Sequence, residues 1–391
     1  MKEGNTYRLI KEANTHLVLN AIREYEPLTV EECISKTHLS RPTVLNALEK
    51  LQSSNLIEKS GYGESAWGRQ PVLYALKLDA YYAIGVDLEF PPIRIVISDI
   101  KGGTLYSREW MQAEDDGMKD IENRILEEIS AGMEKFGIRN DMLVGIGIGI
   151  SGTANIRTNL PVNIVRIKDG AETTIGERIQ EHFQVPVHLR NDAHLVAVAE
   201  QFFSKDSRDF IYVAYRSGIG SAIYMNHHLF NGEYGNAGFI GHTTIDINGE
   251  QCICGQRGCL ELYCSKSAIR KKYAAVTGEE RSYTEILKLA DEGDENARGI
   301  LQVAGKYLGT SLANMIKMFD ISNVILGYLE CGEDNIFFVT IKETIEQLVS
   351  DFVLNGCTVK IGIAGKYDFA LGGGLYVLDK FFDKPKLRLT I

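Results

Sequence analysis

Residues 82–110, YAIGVDLEFPPIRIVISDIKGGTLYSREW, contain apolar stretches separated by turn residues, which predicts two or three strands in a meander. A second stretch with the same layout follows at residues 209–232, DFIYVAYRSGIGSAIYMNHHLFNG. The likeness lies in the order of strands and turns and not in a repeated sequence period. Two such meanders, each at the start of an alternating strand and helix pattern, predict two α/β lobes with a cleft between them.

Strand and helix patterns alternate between and after the two meanders. Residues 143–152, LVGIGIGISG, predict a buried strand, and residues 173–184 predict an amphipathic helix. Residues 185–203, VPVHLRNDAHLVAVAEQFF, predict a strand, a turn and a helix. Helices dominate residues 265–320, and the strand NVILGY and the closing segment FALGGGLYVLDKFF follow them.

The first eighty residues have a different pattern, that of three short helices followed by a hairpin. Pro27 ends the first helix, and Thr29 with Glu32 predicts a capping box at the second. Ser40 caps the third helix, in which Leu45, Leu48 and Leu51 are expected to pack inward. This is the arrangement of a helix–turn–helix whose second helix enters a DNA major groove.

The polar residues of this module give the candidate DNA contacts. Glycine-rich residues 61–68 separate two strand patterns and predict a wing with Trp67 at its tip. A helical hairpin that contacts protein is the structural alternative. The side chains predicted to contact DNA are Ser40, Arg41, Thr43, Asn46, Lys50, Arg69 and Gln70.

Composition limits where nucleic acid can bind. The chain has 391 residues, 45% of them apolar and 24% charged, and a formal net charge of −10, as expected of a globular protein. Residues 1–78 hold ten basic and nine acidic residues, whereas the remainder holds 32 and 43, so a DNA contact is expected at the N-terminus. No apolar run has the length of a membrane helix and the first residues lack the apolar core of a secretory signal, so we predict a cytoplasmic protein.

Four of the seven cysteines lie within residues 252–264, in CICGQRGCLELYC. Cys252, Cys254 and Cys259, with His242 upstream, form a Cys3His set of the kind that holds structural zinc. Reduced thiols without metal and an iron–sulfur cluster are the alternatives. Cys264 is interpreted as a packing residue, as are the isolated residues Cys33, Cys331 and Cys357.

Several motifs resemble those of the ROK family of repressors and sugar kinases, over about residues 80–385. They are GIGIGISG, RNDAHLVAVAE, AGFIGH, CICGQRGCLE and GGGL. The resemblance implies an α/β, two-lobed fold of the actin and hexokinase (ribonuclease H-like) ATPase type. The winged module with its GRQP resembles the family's repressor branch, of the xylose-repressor type. The expected domains are a winged helix–turn–helix (1–78), lobe 1 (79–200, joined by a C-terminal helix at about 372–391) and lobe 2 with the zinc motif (201–371).

The resemblance also implies roles for individual residues. Zinc would be bound by His242, Cys252, Cys254 and Cys259, and the ligand pocket would contain Gly152, Asn191, Asp192, His242 and Glu261. Asp192 matches the catalytic base of the kinases and is interpreted here as vestigial, so no catalytic residue is assigned. Asn191 and Asp192 follow a strand, where ligands of α/β folds bind, although a strand-to-helix cap would use the same residues.

The chain departs from the kinase pattern where nucleotide would bind. Residues 87–92, DLEFPP, replace the kinases' Asp-x-Gly-Gly-Thr, removing N–H donors and adding an anion. Arg216 and Ser217 stand where glycine is usual, and VILGYLE lacks the usual glycine pair. Phe239 replaces a sugar-binding Glu. These changes predict loss of ATP use and a pocket of altered specificity.

We therefore predict a DNA-binding transcriptional regulator of carbohydrate metabolism that senses a sugar or a related metabolite. Its expected partners are a double-stranded DNA operator, the effector, and a second copy of the chain in a homodimer or dimer of dimers, with no membrane. A ROK-type carbohydrate kinase with a DNA-binding appendage is the alternative. A constitutive DNA binder that senses nothing is the third reading.

Overall fold

The computed structural model describes residues 3–64, 70–88, 92–111, 117–164, 173–205, 208–349 and 356–383. The chain forms two compact units. The first contains Met1–Ile148, Ile167–His188 and Gly373–Ile391, and the second contains Gly149–Arg166 and Leu189–Gly372. The three-domain division stays a prediction, and these units follow it only in part, because residues 149–166 and 189–200 group with the second unit. Among the described residues, no helix combines the length and apolar character that crossing a bilayer requires.

The N-terminal module contains three helices and a hairpin in the predicted order, but the first helix has 23 residues and is not short. The elements are α1 (Glu3–Tyr25), α2 (Val30–Thr37), α3 (Arg41–Ser53), β1 (Ile57–Tyr62) and β2 (Val72–Leu76). Strands β1 and β2 pair antiparallel with Ile57 opposite Leu76. The capping box of α2 is confirmed, because the Glu32 N–H donates to Thr29 Oγ1 at 3.2 Å and the Thr29 N–H donates to Glu32 Oε2 at 2.7 Å.

Two further details of this module differ from the prediction. Leu45 does not pack inward but is 44% exposed, because the buried stripe of α3 starts one residue earlier, at Val44. Val44, Leu48 and Leu51 then recur at i, i+4 and i+7, which is the helical spacing of a single face. Ser40 occupies the N-cap position, yet its hydroxyl bonds the Thr43 hydroxyl at 2.8 Å and not a backbone N–H.

The first sheet has the strand order β5-β4-β3-β6-β9. Its strands are β3 (Tyr82–Leu88), β4 (Ile93–Asp99), β5 (Thr104–Trp110), β6 (Leu143–Ile150) and β9 (Val187–Asn191). The predicted meander is present as antiparallel pairs of β3 with β4 and of β4 with β5. Helices α4 (Met118–Lys135) and α5 (Ile175–Phe183) are amphipathic, and the short hairpin of β7 (Gly152–Asn155) and β8 (Leu160–Ile164) precedes α5.

The second sheet repeats the meander and adds two parallel strands, in the order β12-β11-β10-β13-β14. Its strands are β10 (Phe210–Tyr215), β11 (Ile219–Met225), β12 (His228–Leu229), β13 (Asn323–Gly327) and β14 (Thr358–Ile361). The remaining helices are α6 (Asp192–Ser204), α7 (Glu261–Cys264), α8 (Lys266–Thr277), α9 (Tyr283–Asp291), α10 (Glu295–Phe319), α11 (Ile336–Val349) and α12 (Asp368–Phe382). Gly305 and Gly309 of α10 lie so close to Thr340 and Thr344 of α11 that a Cβ there would be within 3 Å.

Helix α12 lies on the first sheet through a glycine contact. A Cβ at Gly147 of β6 would clash with the carbonyl of Gly373, and Gly85 of β3 lies beside the same helix. The end of α12 then meets α1, where Arg23 Nη2 is 2.5 Å from Asp379 Oδ1 and the guanidinium lies 4.4 Å from the centre of the Phe382 ring. The N-terminal module therefore contacts the end of α12, the helix that packs on the first sheet.

Candidate functional site

The four predicted metal ligands converge in the second unit. The ligand atoms of His242, Cys252, Cys254 and Cys259 all lie within 4.8 Å of one another. The Cys252 Sγ to His242 Nδ1 distance is 3.7 Å, and the Cys254 Sγ to Cys259 Sγ distance is 3.6 Å. A tetrahedron with zinc–sulfur bonds of about 2.3 Å has edges of about 3.8 Å. The donor set therefore fits a four-coordinate metal.

The backbone of this loop explains how the thiols meet. The Cys252 N–H donates to the Gln256 carbonyl at 2.7 Å and the Gly255 N–H donates back to the Cys252 carbonyl at 2.9 Å, which closes a tight turn. Gly258 has φ +64°, and a Cβ there would clash with the carbonyl of Asp246. Burial, reinforced by the neighbouring thiols, raises the pKa of Cys259 to about 12 without a metal. A cation at this point would favour the thiolate.

Cys264 lies outside the cluster and is fully buried in the apolar core of the second unit. Burial raises its thiol pKa far above the usual value, which agrees with a packing residue. Cys33 is likewise buried, whereas Cys331 and Cys357 are only partly so.

Glu261 lies two residues after Cys259 and is held by a hydrogen bond to the turn between β10 and β11. Its Oε2 accepts the Ile219 N–H at 3.0 Å. A Cβ at Gly218 would lie 2.6 Å from that oxygen, so this turn needs glycine to approach the carboxylate. A Cβ at Gly241, next to His242, would lie 3.3 Å from the same oxygen. The candidate metal ligand His242 and the carboxylate of Glu261 are therefore neighbours.

The junction of β9 and α6 contains the next predicted pair, Asn191 and Asp192. Asn191 Nδ2 donates to the Gly152 carbonyl at 2.9 Å, and its Oδ1 accepts the Ala193 N–H at 3.0 Å. Asp192 accepts from the Ser151 hydroxyl at 2.9 Å. Asn191 thus caps α6, the structural alternative noted above, and also connects Gly152 to that helix.

Residues 233–242, which lead to His242, are tied to this junction by contacts that sequence reasoning missed. His194 Nε2 lies 2.6 Å from the carbonyl of Ala237, and the Ser221 hydroxyl donates to the Gly238 carbonyl at 2.7 Å. Asn236 Oδ1 accepts the Ala154 N–H at 3.2 Å. The sequence signal for these contacts was limited to position: His194 is the last residue of the motif RNDAH, and Asn236 directly precedes the motif AGFIGH.

The Phe239 ring lies near that of His242, with centroids 6.4 Å apart and planes inclined by 24°. Phe239 therefore places an aromatic ring beside one of the five predicted pocket residues. All five predicted pocket residues belong to the second unit.

The residues on the predicted nucleotide side interact with other parts of the protein. Glu89, Phe90 and Pro91 lie outside the described residues. Asp87 just before them is fully buried, and its Oδ2 is 3.4 Å from Arg94 Nη1. Arg94 Nε is also 3.2 Å from Glu109 Oε2.

In the second unit, Arg216 stacks its guanidinium 3.7 Å from the centre of the Phe369 ring. Tyr328 and Glu330, which follow β13, have φ of +63° and +61°, a backbone conformation that favours glycine. The backbone after β13 therefore has a conformation typical of glycine, although both positions carry large side chains.

The predicted DNA contacts lie on the N-terminal module. Ser40, Arg41, Asn46, Lys50 and Gln70 are exposed, and Thr43 is partly buried. Arg41 forms an ion pair with Glu31 of α2. Arg69 and Trp67 lie outside the described residues.

A family model and a curated relative both match most of this chain. The model of the ROK family matches residues 83–375. The chain is similar to the xylose repressor of Bacillus spizizenii, with 30% identity over 97% of this chain and 98% of that one.

Solved structures show the fold. A ROK family transcriptional regulator, described as a homolog of the Escherichia coli MLC protein, matches with a TM-score of 0.80 and 23% identity over 95% of this chain and 97% of its own. The ROK hexokinase of Thermus thermophilus matches with a TM-score of 0.67 and 23% identity, covering 77% of this chain and all of its own. The predicted fold is confirmed, and the chain belongs to the ROK family.

Proposed function

We propose that this chain is a DNA-binding transcriptional repressor of carbohydrate metabolism whose second unit binds a sugar or related metabolite. One observation carries the proposal. A helix–turn–helix with a wing precedes the ROK region in one chain, and this whole arrangement aligns with a xylose repressor from end to end. The ROK hexokinase, by contrast, is covered over its whole length but covers only 77% of this chain.

The proposed DNA contacts divide by chemistry. Lys50, Arg69 and Gln70 suit the phosphate backbone or the minor groove, while Asn46 suits an adenine edge in the major groove. Arg41 would have to leave Glu31 to reach a phosphate, a small cost because both side chains are more than half exposed.

The proposed effector site comprises Gly152, Asn191, Asp192, Glu261 and His242, beside the ring of Phe239. Two carboxylates, an amide and an imidazole offer hydrogen bonds to several hydroxyls, which is what separates one sugar from another. Phe239 adds an apolar face that suits a pyranose ring or an N-acetyl group. We therefore assign carbohydrates as the effector class.

We assign structural zinc to His242, Cys252, Cys254 and Cys259. Bound zinc would cross-link the segment before His242 to the segment that contains Glu261, so that both meet the effector in a fixed position. His242 would bind the metal through Nδ1, the nitrogen 3.7 Å from Cys252 Sγ, which leaves Nε2 for a hydroxyl.

The alternative, a carbohydrate kinase, relies on Asp192 alone. Phosphoryl transfer needs positioned phosphates and neutralised charge. Arg94 pairs with Asp87 where family kinases place nucleotide, and Arg216 and Tyr328 fill the second turn. These contacts favour a regulator over an enzyme.

Helix α12 offers a route from effector to DNA. Its first residues belong to the second unit, where Gly372 packs on Leu195 of α6, and its end binds Arg23 of α1. We propose a cytoplasmic homodimer or dimer of dimers, in which effector binding changes the spacing of two modules that read half-sites about one helical turn apart.

A gel-shift series with the full chain tests the proposal. Sequence-specific duplex binding is expected, falling at least ten-fold between about 50 and 200 mM salt. Xylose, hexoses and N-acetylhexosamines are then screened by thermal shift and for an effect on the complex. Absence of specific duplex binding at moderate salt would refute the proposal, and robust ADP release with any of these sugars would favour the kinase.

A further inference from the structure

Leu45 is a large apolar side chain on the outward face of α3, with 44% of its surface exposed. Its neighbours Val44, Ala47 and Leu48 are buried, so its exposure reflects the helix phase and not a loose module. The other exposed residues of that face are polar apart from one proline: Arg41, Pro42, Asn46, Glu49 and Lys50.

The first two turns of a helix in this position are those that reach base edges. Within them, Arg41 is proposed above to contact a phosphate, and the Thr43 hydroxyl is bonded to that of Ser40. Pro42 has no polar side-chain atom. Leu45 and Asn46 are therefore the adjacent outward side chains best placed to meet bases.

These two side chains have different chemistry. The amide of Asn46 matches the N6 and N7 atoms of adenine, whereas an aliphatic side chain can contact only one apolar group in the major groove, the C5 methyl of thymine. The module has a net charge of +1, against −11 for the rest of the chain, so it is the part of the chain that duplex DNA repels least, and the exposed Arg41 and Lys50 on this face match the phosphates that flank a major groove.

We propose that Leu45 determines operator specificity by packing on the C5 methyl of a thymine beside the base pair read by Asn46. This inference rests on the proposed function, because it requires that α3 enter a major groove. The contact would remove from water an apolar surface that is exposed on both partners.

The test uses deoxyuridine, which pairs like thymidine but lacks the methyl group. A duplex is first selected by the full chain from a random-sequence library, and each thymine is then replaced singly by uracil. We expect one position per half-site at which the wild type binds about four-fold more weakly, the equivalent of one buried methyl group. In the Leu45→Ala variant the two duplexes should bind equally at that position.

Leu78→Ala is the matched control, because Leu78 is 47% exposed in the same unit but lies outside α3. It should keep the full discrimination between thymine and uracil. Circular dichroism and binding to non-specific duplex confirm that each variant is folded.

The outcomes are separable. If no duplex is selected, the proposed function fails. If a duplex is selected but uracil is tolerated at every position, or Leu45→Ala keeps the wild-type discrimination, the role of Leu45 is refuted while the proposed function stands.

Discussion

The loop of residues 242–259 and the N-terminal module are held in their folds by different means. In the loop, Ile247 and Ile253 are 81% and 82% exposed, and Ile245 is only partly buried against the core of the second unit. Backbone hydrogen bonds close this loop around the four candidate metal ligands. In the module, Val18, Ile22, Val44, Leu48 and Leu51 are almost completely buried.

The comparison indicates that one chain can hold its polar functional groups in place either by packing on an apolar core or by a local cross-link. A segment too short to build a core needs a cross-link, whereas a three-helix module of ordinary length can depend on packing. Four experiments test this contrast, beginning with the one of largest expected effect.

Cys259→Ser is expected to have the largest effect. The variant should no longer bind one zinc ion per chain. The second unit should also lose several kcal/mol of stability, because metal binding is coupled to folding of the loop. Effector affinity should fall about 100-fold, while binding to operator DNA in the absence of effector persists. Metal analysis, thermal denaturation and effector titration provide the measurements.

Cys357→Ser is the control for that experiment, since Cys357 lies outside the cluster and is only partly buried. It should keep zinc and effector binding. Retention of wild-type effector affinity by a zinc-free Cys259→Ser protein would contradict the metal's role in this loop.

Leu48→Ala addresses the other side of the comparison. Leu48 is 2% exposed in the core of the module, and its truncation should cost about 2–5 kcal/mol. Operator binding should be lost while zinc content and effector binding remain. Gel shifts and metal analysis on the same preparation show both results, and parallel loss of effector binding would mean that the two regions are not independently stabilised.

The pH dependence of His194 concerns the polar contacts of the second unit. Burial lowers the pKa of this histidine from 6.5 to about 4, despite its bond to the Ala237 carbonyl. The unfolded chain then binds more protons between these pH values, so stability is lost as the pH falls. From pH 7.5 to pH 5 the loss is about 2 kcal/mol.

Urea denaturation at each pH measures this loss. His194→Gln should flatten the dependence, and His182→Gln, the same substitution at an exposed histidine, serves as the control. An unchanged slope in His194→Gln would show that other groups dominate the acid sensitivity.

Thr29→Ala has the smallest expected effect. It removes the capping bond at 3.2 Å to the Glu32 N–H and should cost about 1 kcal/mol. The measurement is the free energy of unfolding of the N-terminal module. A loss as large as that of Leu48→Ala would mean that polar contacts, and not the core, hold this module.

Much of the fold was predictable because it is encoded locally. The capping box at Thr29 and Glu32, the strands of both meanders and the Cys3His spacing each depend on residues close together in the chain. Leu45 was assigned to the wrong face because Val44, Leu45 and Leu48 allow two helical phases, and only packing against α1 and α2 separates them.

The sequence alone determined the donor set for a metal, the helix–turn–helix with its hairpin, and the loss of the glycine-rich turn at residues 87–92. Tertiary structure decided which partners the remaining polar groups have: Arg94 with Asp87, Arg216 on Phe369, and Asn191 between Gly152 and α6. The physical reason is range. Spacing within one turn or one helix fixes short-range contacts, whereas a pairing such as Asn191 with Gly152 exists only after distant segments have packed.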